Sequence, residues 1–154
     1  MYSAKRVSYR PQVRNPIPEA IIPPREQDGR SDHFVESGGK VFAGHHLIID
    51  LWGAQRLTDL QWIEATLRHC VTACNATLLH IHLHHFSENE GISGVAVLAE
   101  SHISIHTWPE RDYAALDVFM CGNAVPENAI KVLEQALLPE KTVIKRMLRG
   151  EVSP

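Results

Sequence analysis

The stretch Thr-Leu-Leu-His-Ile-His-Leu-His-His-Phe, residues 77–86, alternates apolar and polar side chains through its centre. In an extended chain, three apolar side chains share one face and three imidazoles share the other: Leu79, Ile81 and Leu83 against His80, His82 and His84. A period of two with one apolar face is typical of an antiparallel strand that packs on a core and meets water on its other side. The stretch therefore predicts a half-buried antiparallel strand.

Further strands and two helices flank this stretch. Strand-like apolar runs lie at residues 41–51, 94–100, 102–108, 113–120 and 141–148. An apolar stripe at helical spacing over residues 60–74 predicts a helix, with Thr58 as its N-cap and Gln61 completing a capping box. Pro126 suits the first turn of a second helix, whose apolar stripe consists of Ile130, Leu133 and Leu137. The order β-α-β-β-β-β-α-β predicts a two-layer α/β sandwich, a mainly antiparallel sheet packed on one face by two helices.

The N-terminal segment differs from the rest in composition. It holds several prolines among scattered lysines and arginines, and no hydrophobic period survives them. We therefore expect a disordered or loosely docked arm over residues 1–35 and a folded domain over residues 36–154. A solvated extension is the simpler interpretation of the arm, and a contact arm to a second subunit is the alternative.

Bulk properties argue against several function classes. A length of 154 residues with 44% hydrophobic content suits one soluble domain. A net charge of −3 without a basic cluster argues against nucleic-acid binding. No apolar run approaches the roughly 20 residues that span a membrane, and the N-terminus lacks the apolar region of a secretory signal. Three cysteines argue for a reducing cytoplasm, with Cys70 and Cys74 expected to be small core residues.

The histidines offer a rival site. Several fall on two predicted strands: His45, His46, His80, His82, His84 and His85. A His-x-His pair on one strand face can place two imidazoles on one metal ion, which would make the chain a metal-binding β protein. A third ligand at convincing spacing is missing, because the nearby acids Glu88 and Glu90 fall in a loop. A polar sheet face or a subunit interface is the simpler interpretation.

A reactive motif occupies residues 100–110, Glu-Ser-His-Ile-Ser-Ile-His-Thr-Trp-Pro-Glu. A serine hydroxyl is normally a weak nucleophile, but three conditions would let Ser101 attack the Glu100 carbonyl. The link between the two strands must be strained, hydrogen bonds must stabilise the oxyanion, and a base must take the proton. His106 is the candidate base.

Self-cleavage at this bond would generate a cofactor from the chain itself. Elimination and hydrolysis of the ester would convert Ser101 into a pyruvoyl group and divide the chain into residues 1–100 and 101–154. Such a carbonyl would form a Schiff base with a substrate amine and accept the electrons left by departing CO₂. Cys121 is the candidate proton donor, because a thiol is largely protonated near neutral pH but transfers its proton readily.

Four segments carry a family resemblance: the motif at 100–110, Tyr-Ala-Ala-Leu-Asp-Val-Phe-Met-Cys-Gly at 113–122, Gly44-His45-His46-Leu47, and Gly91-Ile92-Ser93-Gly94. Across about residues 43–149, the chain resembles the prokaryotic S-adenosylmethionine decarboxylases, which make their own pyruvoyl cofactor. The resemblance implies the same two-layer sandwich. It also implies Ser101 as the pyruvoyl residue, His106 as the proton acceptor in processing, and Cys121 as the proton donor in decarboxylation.

The same resemblance implies further site residues and partners. Ser93 would assist near the site, and Phe86 and Glu110 would contact the adenosyl group. The active form would be a homodimer of cleaved protomers with sites at the subunit interface. Its product, decarboxylated S-adenosylmethionine, would supply aminopropyl groups for spermidine. Relatives with the same cleavage motif decarboxylate arginine or ornithine, so a basic amino-acid decarboxylase is the closest alternative.

Overall fold

Seven strands and two helices make up the part of the chain that this computed structural model describes, residues 33–87 and 89–152. In chain order they are β1 Val35–Ser37, β2 Lys40–Trp52, α1 Leu60–Ala73, β3 Leu78–His85, β4 Ile92–Leu98, β5 Ser101–Trp108, β6 Tyr113–Met120, α2 Glu127–Leu137 and β7 Lys141–Val152. The predicted order is confirmed, with the short strand β1 added before it. Most of the predicted arm, residues 1–32, lies outside the described residues. Neither described helix is long and apolar enough to cross a bilayer.

All the strands belong to one antiparallel sheet. Its order is β3-β4-β5-β6-β2-β7, and β1 pairs with the beginning of β2, ahead of the residues that pair with β6. β4, β5 and β6 follow one another through short connections, so each strand lies beside its neighbour in the chain. This arrangement places the ends of β5 and β6, which carry the predicted site residues, side by side.

Both helices pack on one face of the sheet. Along β5 and β6 every second residue is buried, the alternation expected of strands covered on one face. Sheet and helices share one core, whose largest buried side chains include Leu47, Ile49, Leu51, Ile63, Leu67, Ile103, Ile105, Leu116 and Leu133. The predicted two-layer sandwich is therefore confirmed. No described helix covers the second face of the sheet, which we call the open face.

The predicted inward face of β3 is wrong at one position. Leu79 is 64% exposed, whereas Ile81 and Leu83 pack against the core as expected. The register of β3 on β4 shifts between Leu78 and His80. An irregularity of this kind places an extra residue in one strand and changes the side on which the neighbouring side chains lie. A strict period of two therefore fails at the beginning of this strand.

The N-cap of α1 also differs from the prediction. Asp59, rather than Thr58, accepts a hydrogen bond from the Trp62 backbone N–H at 3.0 Å. A carboxylate in this position satisfies a helix N–H that has no partner within the helix, and it complements the positive end of the helix dipole. Thr58 and Asp59 both belong to the residue types that favour N-cap positions, and Asp59 is the one that has the extended backbone of an N-cap.

Replacing Asp59 with alanine should lower the free energy of unfolding by about 1 kcal/mol, the usual cost of removing an N-cap side chain. Thr58→Ala is the matched control, since the cap bond is made by its neighbour, and its effect should stay within about 0.5 kcal/mol. Urea unfolding followed by circular dichroism measures both variants. A larger loss for Thr58→Ala than for Asp59→Ala would contradict this assignment of the cap.

Cys70 and Cys74 are buried in the core, as predicted, and are free thiols. Burial raises the pKa of Cys74 to about 11. Burial and the neighbouring Cys74 also raise the pKa of Cys70. Both thiols therefore stay protonated at neutral pH and are poor nucleophiles.

Candidate active site

The bond between Glu100 and Ser101 lies in the tight turn that joins β4 to β5. Leu98 pairs with Ser101, which leaves Ala99 and Glu100 as the residues of the turn. The Glu100 backbone is left-handed, with a φ of 57°. A left-handed residue other than glycine costs of order 1–3 kcal/mol and persists where the surrounding fold holds it. The strain that self-cleavage would need is thus present at the residue whose carbonyl Ser101 would attack.

Cys121 contacts both groups that self-cleavage would use. It directly follows β6, and its backbone N–H donates a hydrogen bond to Ser101 Oγ at 3.1 Å. Its thiol donates to the carbonyl oxygen of Glu100, also at 3.1 Å. A donor on that oxygen polarises the carbonyl and stabilises the oxyanion that would form when the hydroxyl adds to it. These three residues form what we call the Ser101 cluster.

The Cys121 thiol is held in its protonated form. Partial burial raises its pKa, and the nearby charge of Glu100 adds to the increase, while hydrogen bonding by Ser101 opposes it. A protonated thiol can donate the hydrogen bond to the Glu100 carbonyl and can also serve as a proton donor. The position of Cys121 therefore suits both cleavage and a later protonation step.

A further candidate base that the sequence analysis did not single out, His102, lies beside this cluster. An open cavity of about 520 Å³ is lined by Glu100, Ser101, His102, Phe119 and Arg149, among others. Burial lowers the pKa of His102, and the neighbouring His46 and Arg149 lower it further, against the opposite effect of Asp117. A neutral imidazole can accept a proton, so His102 is a base candidate within the same chain. Its place directly after Ser101 in the motif was the signal that could have identified it.

Ser93 and His106 form a second pair on the open face. Ser93 in β4 lies opposite His106 in β5. The serine Oγ and the imidazole Nδ1 share a hydrogen bond of 2.8 Å. A bond at Nδ1 fixes the ring orientation and leaves Nε2 as the nitrogen that would exchange a proton. The pair therefore has the arrangement of an oriented general base.

The predicted substrate contacts lie next to this pair. A cavity of about 530 Å³ is lined by Phe86, Glu90, Ser93, His106, Trp108 and Glu110, among others. It combines aromatic walls with carboxylates, which suits a purine that carries an attached cation. Four predicted site residues are therefore brought together in what we call the His106 cluster: Phe86, Ser93, His106 and Glu110.

The two clusters lie at opposite ends of β5. Ser101 begins the strand and His106 lies near its end, a separation of roughly 17 Å at about 3.4 Å per residue. The two side chains also point to opposite faces, because Ser101 is buried with the core-facing residues whereas His106 is exposed. Within one chain, His106 therefore lies out of reach of Ser101, contrary to the expectation that it is the nearby base.

One of the histidines elsewhere on the sheet, His46, is held by polar contacts. His46 is 9% exposed and bonds through Nε2 to Asp117 at 3.0 Å. The same carboxylate lies 3.4 Å from the hydroxyl of Ser104. Within residues 33–87 and 89–152, no group of three His, Cys, Asp or Glu side chains is placed to hold a metal ion. The metal-binding alternative has no cluster to support it in this part of the chain.

Comparison with known proteins identifies the family. The family model for S-adenosylmethionine decarboxylase matches residues 45–150, well over half of the chain. The chain belongs to the S-adenosylmethionine decarboxylase family. The matched residues include both clusters and every predicted site residue. β1 and the residues before it precede the match.

Individual relatives agree with this assignment. The S-adenosylmethionine decarboxylase proenzyme of Methanococcus maripaludis strain S2 is 53% identical over 110 residues, which cover 70% of this chain and 89% of that protein. The proenzyme of the same name from Thermomicrobium roseum is 44% identical over 110 residues, covering 71% and 95%. The crystal structure of the adenosylmethionine decarboxylase from Aquifex aeolicus is similar with a TM-score of 0.64 and 32% identity, over 73% of this chain and 94% of that chain.

Proposed function

We propose that this chain cleaves itself between Glu100 and Ser101 and uses the pyruvoyl group so formed to decarboxylate S-adenosylmethionine. The observation that carries the proposal is the pair of hydrogen bonds from Cys121 to Ser101 Oγ and to the Glu100 carbonyl oxygen, both at 3.1 Å. The left-handed backbone of Glu100 adds strain at the same bond. Family membership, and relatives named as proenzymes, support the same reaction.

Cleavage needs only the chain and water. Ser101 Oγ adds to the Glu100 carbonyl carbon and gives up its proton to a base. The bond to the Ser101 nitrogen breaks, and that nitrogen takes up a proton, which leaves an ester. Loss of the Ser101 Cα proton then breaks the Cβ–Oγ bond, so that Glu100 leaves as a carboxylate that keeps Oγ. The remaining dehydroalanine takes up water and releases ammonia, which leaves the pyruvoyl group at the start of fragment 101–154.

The residues around position 101 fit this group. The pyruvoyl carbonyl would supply the electron sink that decarboxylation of an amino acid requires. Position 101 is 9% exposed and lies against Cys121, which limits the access of bulk water. The raised pKa of Cys121 keeps its proton in place until CO₂ has left, and the thiol then delivers it to the substrate carbon.

We also propose that the active unit is a homodimer in which the Ser101 cluster of one chain meets the His106 cluster of a second copy. A gap of roughly 17 Å along β5 is too long for side-chain motion to close. The open face carries large exposed apolar side chains, among them Trp52, Trp108 and Met147 at 44%, 40% and 42% exposure. Burying such a surface stabilises association. In this arrangement, the Ser93–His106 pair of the second copy approaches Ser101 through the open cavity that Ser101 shares with His102 and Phe119, and it takes the proton of the Ser101 hydroxyl.

The His106 cluster fits the adenosyl end of the substrate. Phe86 offers an aromatic face to the purine, and Glu110 offers a carboxylate to the sulfonium cation.

The product would donate aminopropyl groups in spermidine synthesis. A cytoplasmic location follows from the need to keep Cys121 as a free thiol, which a reducing compartment provides. The division into an arm over residues 1–35 and a decarboxylase domain over residues 36–154 stays a prediction.

Two measurements test the proposed function. Intact mass under denaturing conditions should show two fragments that separate at Glu100–Ser101, with a blocked N-terminus on the smaller one. A 17.3 kDa chain that stays whole would contradict it. Release of labelled CO₂ should then be compared for S-adenosylmethionine, arginine and ornithine. Turnover of a basic amino acid without turnover of S-adenosylmethionine would favour the alternative decarboxylase.

Replacing Cys121 with alanine should slow cleavage without abolishing it and should lower turnover by about 10²–10⁴-fold, the usual contribution of a positioned proton donor. Cys121→Ser is the matched control. Its hydroxyl still donates to the Glu100 carbonyl and should restore cleavage, but it holds its proton too tightly to restore turnover. Mass spectrometry follows cleavage, and CO₂ release follows turnover. Normal turnover by Cys121→Ala would remove Cys121 from the mechanism.

A further inference from the structure

We propose that β1 and the two residues before it, residues 33–37, form a positioning segment that keeps the proton donor Cys121 in place once the chain has been cleaved. The proposal rests on the proposed function. β1 spans Val35–Ser37 and thus precedes the residues 45–150 that match the family. Residues 33–37 therefore lie outside the matched region, and yet His33 and Phe34 line a cavity together with Glu100 and Cys121 of the Ser101 cluster.

Residues 33 and 34 lie near that cluster because a tight turn folds β1 back along β2. It pairs antiparallel with residues 40–42, and the turn consists of Gly38 and Gly39 at φ of 59° and 77°. Glycine adopts such positive φ values readily. The residues before β1 thereby arrive at the end of β6, where the His33 carbonyl accepts a hydrogen bond from the Gly122 N–H at 2.6 Å. A cavity of about 140 Å³ at this point is lined by His33, Phe34, Ala43, Glu100 and Cys121.

Within the described residues, three hydrogen bonds tie Cys121 and Gly122 to the rest of the uncleaved protein. The Cys121 N–H donates to Ser101 Oγ, and its thiol donates to the Glu100 carbonyl. The third is the bond from Gly122 to His33. The pairing of β6 with its neighbouring strands ends by Met120, so the sheet ladder does not include Cys121. One more bond, from the Ala124 N–H to the Cys121 carbonyl, is internal to the turn that follows β6.

Cleavage changes the first two of these bonds and leaves the third. Ser101 Oγ departs from position 101 as part of the Glu100 carboxylate. The former Glu100 carbonyl oxygen belongs to the same carboxylate, at a chain end that is no longer joined to β5. The His33 carbonyl takes no part in the reaction. After cleavage, the bond from Gly122 to His33 is the tie that holds Cys121 beside position 101 when the proton is delivered.

The proposal predicts an effect on proton delivery and none on cleavage. A thiol held beside position 101 protonates the substrate carbon and releases the decarboxylated amine. If the thiol is loosened, a proton from water can add to the carbon at position 101 instead. Hydrolysis then releases the substrate as an aldehyde and leaves its nitrogen on position 101, which becomes alanine. The mass of fragment 101–154 distinguishes the inactive form, with alanine at position 101, from the active form, with the pyruvoyl group.

The double substitution Gly38→Val/Gly39→Val in the full chain tests the proposal. A Cβ at either position meets no heavy atom within 4 Å, so only the positive φ opposes valine there. The double variant should cleave at the parental rate. In the cleaved protein, the alkylation rate of Cys121 by iodoacetamide should rise about 5-fold to 10-fold, the effect of losing one backbone hydrogen bond. Fragments 101–154 that begin with alanine at position 101 should accumulate during turnover.

Controls separate this effect from a general loss of structure. Cys70 and Cys74 are buried and lie in the other fragment, so their alkylation should not change. Deleting residues 1–30 keeps His33 and should match the parent, whereas deleting residues 1–34 removes it and should reproduce the glycine variant. If the glycine variant does not fold, these deletions still test whether His33 holds Cys121 in place. Unchanged Cys121 alkylation after deletion of residues 1–34 would overturn the proposed role of residues 33–37. Failure of the parent itself to cleave or decarboxylate would overturn the proposed function instead.

Discussion

Replacing Ser101 with alanine should give a folded chain of 17.3 kDa that stays whole and has no decarboxylase activity. The substitution removes the nucleophile of self-cleavage and the acceptor of the Cys121 N–H. Because Ser101 is buried and alanine is smaller, the fold should survive, with a loss of about 1 kcal/mol from the missing hydrogen bond. Without the pyruvoyl group the substrate has no electron sink, so activity should fall by at least about 10⁶-fold, the lower range of enzymatic rate enhancements.

The matched control for this experiment is Ser104→Ala on the same strand. Its hydroxyl lies 3.4 Å from Asp117 and belongs to neither cluster. This variant should cleave and turn over like the parent. Intact mass after overnight incubation measures cleavage in both variants, and circular dichroism checks that both are folded. Cleavage of the Ser101→Ala chain at the same bond would show that the assignment of the nucleophile is wrong.

The Ser101 cluster illustrates what local sequence patterns can predict. Two adjacent antiparallel strands were predicted for residues 102–108 and 113–120, and β5 and β6 occupy nearly the same ranges. Antiparallel neighbours joined by a short connection place the start of one strand beside the end of the next. Ser101 and Cys121 stand at those two positions. The sequence therefore predicts both their proximity and the requirement for strain at Glu100.

The position of His106 illustrates what such patterns leave open. His106 is close to Ser101 in sequence, and a short separation suggests proximity. In an extended strand, the five residue steps from Ser101 to His106 span roughly 17 Å, and even-numbered and odd-numbered side chains point to opposite faces. The apolar pattern predicts the strand, but the sequence separation of Ser101 and His106 does not convey their distance along it. The contact of His33 with Gly122 cannot be predicted either, because it depends on a glycine turn that brings a distant segment back to β6.

A mixture of two inactive chains should regain activity if the site is shared between two copies. A His106→Ala chain keeps its own Ser101 cluster, and a Ser101→Ala chain keeps its own His106 cluster. Each homodimer is inactive, but a mixed dimer combines Ser101 from one chain with His106 from the other. When the two chains are produced together in equal amounts, about one quarter of all sites should be intact, because half of the dimers are mixed and each holds one complete site. Turnover should reach about that fraction of the parental value.

The mixed dimer also distinguishes His106 from the base candidate within the same chain. If His102 takes the Ser101 proton, His106→Ala alone should cleave at the parental rate. His102→Ala should then fail to cleave even when a Ser101→Ala chain is present, because every chain with an intact Ser101 would still lack His102. If His106 of a second copy is the base, His106→Ala is cleaved only in the mixture, and the cleaved fragments carry the substitution. Cleavage of the His106→Ala chain only in the mixture therefore assigns the base to the second subunit, whereas its cleavage when it is present alone assigns the base to His102 of the same chain.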